Sequence, residues 1–464
     1  MTENRPLGSS EAALLSKEAE YCSFGDTVHY QDPPKIFERC EGSFLYDAAG
    51  TPFLDLQMWY SAVNFGYGNK RLNDALKSQI DRLPQLASQY LHREKIELAT
   101  LIAQRVEKRF GKKGRVHFNV GGSQAVEDSL KLVRNASNGK SLMFAFEGGY
   151  HGRTLGASAI TSSYRYRRRY GHFGERAQFV PFPYCFRCPY GKKREDCGLY
   201  CVDQFARLFD TEYYGVWDAK AEAAEYAAFY VEAIQGTGGY VIPPPGYFEK
   251  LKSVLEGRRI LLVDDEIQMG FYRTGRLWSL EHFNVAPDVI VFGKAMTNGL
   301  NPLAGLWARE ELINPEVFPP GSTHSTFSSN PLGTAVALET MRMLDEHDYQ
   351  AETETKGRFL LDGLKDLKKR YRIIGDVDGL GMALRMEICT EDGFTPDKAM
   401  VDRMCDEAMK GDFEVNGKRY GLVLDIGGYY KNVVTLAPSL DISQEEMELA
   451  LVLLDQLLQR VTRT

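Results

Sequence analysis

Between Arg259 and Gly299 the chain carries an acid and a lysine in places where they can do chemistry together. The apolar run Ile260–Val263 ends in Asp264-Asp265-Glu266, and the apolar run Val289–Phe292 leads into Gly293-Lys294-Ala295. Both runs read as buried strands, so acid and lysine fall at C-terminal strand ends, where open α/β sheets put their ligand sites. A lysine held there against apolar walls or other cations can lose its proton and attack a carbonyl to form a Schiff base. A carboxylate set opposite can keep the pyridine nitrogen of a cofactor such as pyridoxal phosphate protonated, so that the ring takes up electrons. Either motif by itself reads better as surface charge.

Further groups end other strands of the same pattern. Gly121-Gly122-Ser123 lies between a strand and a helix, where backbone N–H groups can hold a phosphate and Ser123 adds a hydroxyl. The stretch Glu147–Thr154 offers the Tyr150 ring for stacking on a flat cofactor and the Arg153 guanidinium for a carboxylate. Glu232, in the run Val231–Gly239, adds a carboxylate before a glycine turn, and Gln268 follows Asp265 by three positions. Their joint occurrence on one sheet is what gives the pattern weight.

The elements that must position these groups follow from periodicity. Strands are predicted at Val116–Val120, Ser141–Phe146, Ala177–Val180, Ala227–Val231, Ile260–Val263, Val289–Phe292 and Leu303–Trp307, with helices between most of them, including Ala125–Asn135. That is a mostly parallel sheet with helices on both faces. Ahead of it, residues 1–35 read as a helical or irregular arm, Ile36–Phe53 as a small hairpin, and Asn73–Arg82 and Lys95–Arg109 as helices. Behind it come a long helix from Pro331 to about His347 and a second α+β region with strands Ile373–Val377, Ala383–Ile388, Leu422–Asp425 and Val433–Leu436. The last helix, Gln444–Arg460, opens on a capping sequence, Asp441–Glu446.

Composition narrows the function classes. A chain of 464 residues is too long for one ordinary core. A net charge of −7 argues against general affinity for nucleic acid. No run approaches the roughly 20 apolar residues of a membrane span, and the polar N-terminus lacks a signal-peptide core. Eight cysteines in such a chain are no disulfide framework, so a reducing cytoplasm is expected.

In GSQAVE (122–127), YHGRT (150–154), DEIQMGFYRTG (265–275), GKA (293–295) and STFSSNP (325–331), the chain resembles the class III pyridoxal-phosphate aminotransferases, the group of ornithine, 4-aminobutyrate and omega-amino acid aminotransferases. The resemblance runs from the hairpin at Ile36 to the last helix. It implies an aspartate-aminotransferase-like α/β fold of type I. A large domain over 71–335 holds the cofactor, and a smaller α+β domain is built from both termini, 1–70 and 336–464. By the same resemblance, Lys294 forms the Schiff base with pyridoxal 5'-phosphate and Asp265 sits under the ring nitrogen. Gln268 bonds the ring hydroxyl, Gly121, Gly122 and Ser123 form the phosphate cup, Tyr150 stacks on the ring, and Glu232 lines the same cofactor site. Thr326 is implied to reach the phosphate of a neighbouring subunit, hence a homodimer with shared active sites. Small-molecule amino donors and keto acid acceptors are the implied partners.

Two departures bear on the acceptor. Relatives of the ornithine and 4-aminobutyrate type carry a glutamate where this chain has Thr237 and an arginine where it has Thr435. The pair is lost as a unit, as expected when a buried charge without its partner is costly. Pyruvate is therefore expected as acceptor rather than 2-oxoglutarate, with amino-acid racemisation or epimerisation as the alternative reaction. Trp59 and Tyr60 stand where such enzymes admit substrate, and Arg153 is a candidate carboxylate anchor. Cys185, Cys188, Cys197 and Cys201 have spacing that suits zinc or an iron–sulfur cluster, but similar insertions in relatives carry reduced thiols, and no metal is expected at the catalytic site. The run Tyr164–Tyr170 reads as a solvated or phosphate-adjacent face rather than a nucleic-acid patch.

Overall fold

The computed structural model describes residues 11–25, 34–167, 170 and 177–463. Of the arm expected over 1–35, Glu11–Tyr21 is a helix with no buried residue, while Tyr30 and Pro33 lie outside the described residues. Arg168 and Arg169 of the basic run lie outside them as well.

The seven strands of the central sheet lie in the order Gly114–Asn119, Ala304–Arg309, Val289–Phe292, Leu261–Asp265, Tyr226–Val231, Leu142–Phe146 and Gln178–Val180. Ala304–Arg309 runs antiparallel to both neighbours, and the other adjacent pairs are parallel. Every residue of Tyr226–Val231 and of Val289–Phe292 is buried, as befits strands covered on both faces. One cover is the helix Gly122–Ala136, which buries Ala125, Val126, Ser129, Leu132 and Val133. Another is the helix Tyr247–Gly257, which buries Phe248, Leu251 and Leu255.

The chain ends meet in a second sheet. Phe37–Glu41, Phe44–Asp47 and Pro52–Asp55 form an antiparallel meander, whose last strand pairs in parallel with Lys418–Val423. The expected hairpin is thus three strands, with Asp47 Oδ1 accepting the Ala49 and Thr51 N–H groups to close the turn. A third, four-stranded sheet joins Ile374–Leu380, Ala383–Ile388, Val433–Leu436 and Asp425–Gly427. The single strand expected over Leu422–Asp425 is therefore two, in two different sheets. The 22-residue helix Tyr349–Arg370 was not separated from its surroundings in the sequence. The last helix, Gln444–Thr462, starts in the expected box, with Ser443 and Glu446 capping each other.

Two buried polar groups tie these layers together. Arg273, fully buried, donates to the carbonyls of Met382 (3.2 Å) and Pro438 (2.6 Å) and to Asn64 Oδ1 (2.6 Å). Glu387 gathers Arg385, Arg187 and Tyr184 around one buried carboxylate, with Asn432 donating at 3.2 Å. Such groups hold only when partnered, because an uncompensated charge in the interior is strongly destabilising. Among the described residues no helix is long and apolar enough to cross a membrane.

Candidate active site

Alternation along one strand sorts the acidic triplet. Successive side chains point to opposite faces, so Asp265 parts company with Asp264 and Glu266. Glu266 accepts from Ser279 Oγ (2.7 Å) and Leu280 N (3.0 Å). Burial and the adjacent Glu266 carboxyl push Asp264 well above the usual carboxylate range. Asp265 Oδ2 instead meets His151 Nδ1 at 2.8 Å, and its Oδ1 accepts Ile267 N at 3.1 Å. Burial alone would lower the His151 pKa. The hydrogen bond to Asp265, with the charges of Asp265 and Glu232, overrides it and raises the imidazole above its ordinary value.

Lys294 opens a short turn, Lys294–Thr297, directly after its strand. Its φ of 41° lies in the left-handed region, a conformation that costs energy and persists only where surrounding structure imposes it. Desolvation lowers its pKa, against the opposing charges of Asp265, Glu232 and Asp425. Burial thus shifts the amine towards the neutral form that a nucleophile or base needs.

The turns at the other strand ends brace one another. Both oxygens of Glu232 accept backbone N–H groups, from Tyr150 and Gly236, each at 2.9 Å. Burial raises its pKa to about 7, with His151 pulling down and Asp265 pushing up. Gly236 lies close under Gln268, whose Oε1 would be 2.1 Å from an added Cβ. Gln268 also donates to Tyr240 OH at 3.1 Å. Ser123 Oγ accepts Arg153 N at 3.3 Å and sits 2.2 Å from where a Cβ on Gly152 would be. Arg153 is exposed, with its guanidinium 4.4 Å from the Tyr166 ring centre and 5.9 Å from that of Tyr150. Gly121 caps its helix with no side-chain acceptor, so the first N–H groups there are open to an anion.

Met58, Trp59, Tyr60 and Ser61 have φ of 45°, 51°, 58° and 62°, a left-handed turn in a stretch with no glycine. Left-handed geometry costs roughly 1–2 kcal/mol for each such residue. Asp55, buried, offsets part of it by accepting Gln57 N (2.7 Å) and Met58 N (2.8 Å). The turn leaves Trp59 55% and Tyr60 38% exposed. The Trp59 ring also lies against Gly299, 2.9 Å from where a Cβ would be, and so reaches the loop that follows Lys294. Asn298 on that loop accepts Phe65 N (2.9 Å) and donates to Gly66 O (2.9 Å), fixing the segment beside the turn.

Lys294, Asp265, Glu232, Tyr150, Ser123 and Gln268 thus belong to one set of strand-end turns. Thr326 does not join them within the chain and lies on the surface beside Phe327, itself 69% exposed. The profile of the family described as aminotransferase class-III matches residues 27–458. The chain belongs to the class III aminotransferases. It is 33% identical to the alanine/serine racemase of Pyrococcus horikoshii over 455 residues, 97% of this chain and 91% of that one. It is 29% identical to the diaminobutyrate–2-oxoglutarate aminotransferase of Haemophilus influenzae over 425 residues, 89% of this chain and 88% of that one. Among solved structures, a thermostable (S)-enantioselective omega-transaminase from Thermomicrobium roseum superposes with a TM-score of 0.84 and 26% identity, covering 98% and 99% of the two chains.

Class III aminotransferases are pyridoxal-phosphate enzymes of fold type I, and the residues here fit that cofactor. The donor set supplies a desolvated lysine, a carboxylate fixed on two sides, an uncapped helix start and an aromatic ring. His151 Nε2 is buried with no hydrogen-bond partner among the described residues. The role of His151 was missed in the sequence, although YHGRT contains it. The available signal was an imidazole one position after Tyr150 at a strand end, within reach of a carboxylate on a nearby strand. Among the described residues no group of three or more His, Cys, Asp or Glu side chains is arranged to hold a metal. Cys185, Cys188, Cys197 and Cys201 are free thiols lining one cavity of the insertion.

The raised Glu232 pKa makes a prediction. Its proton is bound more tightly in the folded than in the unfolded chain, so the stability of coenzyme-free protein should fall as pH rises from 4.5 to about 7. The contribution is up to roughly 3 kcal/mol. Glu232→Gln should lose that part of the slope in denaturant unfolding followed across pH, and an unchanged slope would contradict the assignment.

Proposed function

We propose that the protein moves an amino group from an amine or omega-amino acid to a keto acid, with pyruvate preferred over 2-oxoglutarate. The observation that carries the acceptor preference is at Thr435. Its hydroxyl donates to Asp425 Oδ2 at 2.8 Å, so the second carboxylate of 2-oxoglutarate would meet an acid there instead of a cation. Pyruvate has no second carboxylate to place.

Lys294 takes the proton from the carbon bearing the amine and returns it, its neutral form favoured by desolvation. Asp265, kept in place by His151 and the Ile267 N–H, would hold the proton on the ring nitrogen. Gly121, Gly122 and Ser123 would hold the phosphate, Gln268 the ring hydroxyl, and Tyr150 the ring. Pyridoxal phosphate, when bound, supplies an electron sink beside the reacting carbon. Trp59, Tyr60 and Arg153 contact the substrate.

A second reading, racemisation of an amino acid, is favoured by the similarity to a racemase over 97% of the chain. The same lysine serves both reactions, and the outcome depends on where the proton returns. A donor panel with pyruvate, with 2-oxoglutarate and with neither separates them. Amino transfer that depends on pyruvate is expected. Faster turnover with 2-oxoglutarate would sink the acceptor assignment, and loss of optical activity without any keto acid would favour racemisation.

The proposal includes a homodimer in which Thr326 of the partner subunit completes the phosphate site. Tyr90 (61%), Leu91 (71%) and Phe327 (69%) are exposed, and a His92–Ser329 hydrogen bond of 2.9 Å joins their two segments, an apolar surface suited to burial. Sedimentation that finds a fully active monomer would refute it. A reducing cytoplasm is the proposed location, in keeping with eight free cysteines.

A further inference from the structure

We propose that Tyr240 is a positioning residue, whose hydroxyl fixes the Gln268 amide so that one N–H of that amide is left for the ring hydroxyl of the coenzyme. This rests on the reading that Gln268 meets the ring hydroxyl, and not on whether the reaction is transfer or racemisation.

The last torsion of a glutamine is broad and roughly two-fold, so an amide without a partner presents nitrogen or oxygen about equally. Among the described residues the Gln268 amide makes one hydrogen bond, donated from Nε2 to Tyr240 OH at 3.1 Å. Its other end, Oε1, lies over Gly236. Nitrogen and oxygen are thus each assigned a side. An amide nitrogen carries two protons. With one given to Tyr240, the second is left for an acceptor in the site, and a ring oxygen that carries negative charge is the acceptor that gains most from it.

Tyr240 is itself held firmly. It is 2% exposed and shares a buried apolar cluster with Ile234 and Met269, which follow two strands of the central sheet, and with Ala383 and Ala437, at strand ends of the four-stranded sheet. Its φ of 52° is left-handed, an unfavourable conformation for a bulky side chain that surrounding structure must impose. The loop that carries it is closed by a bridge between Gln235 and Val241 and by the Gly239 N–H, which donates to Gly236 O at 2.9 Å. Burial pushes the phenol pKa up to about 12, with Asp425 adding to it and Ser61, Arg273 and Gln268 opposing. Tyr240 therefore stays protonated near neutral pH and offers Gln268 a fixed, neutral oxygen. Phenylalanine would fill the same cluster and lack only the hydroxyl.

The test titrates the visible absorbance of coenzyme-loaded enzyme with pH. A hydrogen bond donated to the ring oxygen favours its anionic form, so losing that bond makes the bound coenzyme keep its proton to higher pH. In Tyr240→Phe the midpoint should rise by about one pH unit, the scale of one hydrogen bond to a charged group. Turnover, kcat, should fall about tenfold while KM and the melting temperature change little. Gln268→Ala should raise the midpoint as well, and adding Tyr240→Phe to it should move the midpoint no further. An unmoved midpoint in Tyr240→Phe beside a raised one in Gln268→Ala would overturn the inference and leave Gln268 in its role. So would a shift from Tyr240→Phe that persists in the Gln268→Ala background. A midpoint unmoved in both single variants would instead remove the reading at Gln268, and this inference with it.

Discussion

Lys294→Ala is expected to abolish turnover almost entirely, by a factor on the order of 10^5 or more, the scale on which a covalent nucleophile that also moves a proton is missed. Two features of the site set the size of the loss. Its amine is desolvated among three carboxyl groups, and Lys431 belongs to the turn between the strands Asp425–Gly427 and Val433–Leu436 rather than to the central sheet. The backbone gives a second readout. Lys294 sits at a φ of 41°, a conformation alanine tolerates no better, so the variant should melt within a few degrees of wild type. Added methylamine should restore part of the activity by standing in for the missing amine. Turnover of the variant above about a hundredth of wild type would contradict the assignment.

Asp265→Asn is expected to lower kcat on the order of 10^3-fold, the cost of removing one preorganised charge from a water-poor site. A second measurement separates this from general damage. In wild type, burial lowers the His151 pKa and the bond to Asp265 more than reverses it. Without the carboxylate, burial prevails, and His151 should titrate below its ordinary value by NMR. The proton held on His151 above that value in wild type is therefore released at lower pH in the variant. Loss of activity with an unmoved His151 would mean that the pair is not coupled as described.

How much of this was legible beforehand depends on distance along the chain. Val289–Phe292, Ala383–Ile388 and Val433–Leu436 were delimited to the residue by their apolar runs. The helix after Val120 was placed too late, at Ala125, because two glycines read as a turn. In the fold Gly122 is its first residue, and Ile267 presses against it, 2.8 Å from where a Cβ would be. The helix Tyr349–Arg370 escaped because charged residues separate its sparse apolar stripe of Leu360, Leu364 and Leu367. Lys294 and Asp265 are readable because each stands within two positions of the end of an apolar run. His151 opposite Asp265 depends on a pairing between segments 114 positions apart, which spacing in a single sequence does not encode. Nothing in Met58-Trp59-Tyr60-Ser61 advertises a left-handed turn, since none of these residues favours positive φ.

That turn reverses a familiar compromise of enzyme engineering. Enlarging a pocket usually weakens a protein, because the removed side chain was also holding the fold together. Here the rings proposed to meet the substrate stand on a left-handed backbone, and both are substantially exposed. Glycine in this turn would clear space and relax the main chain in the same step. Variants of wider substrate range are therefore to be sought there, with a smaller loss of stability than pocket enlargement usually brings.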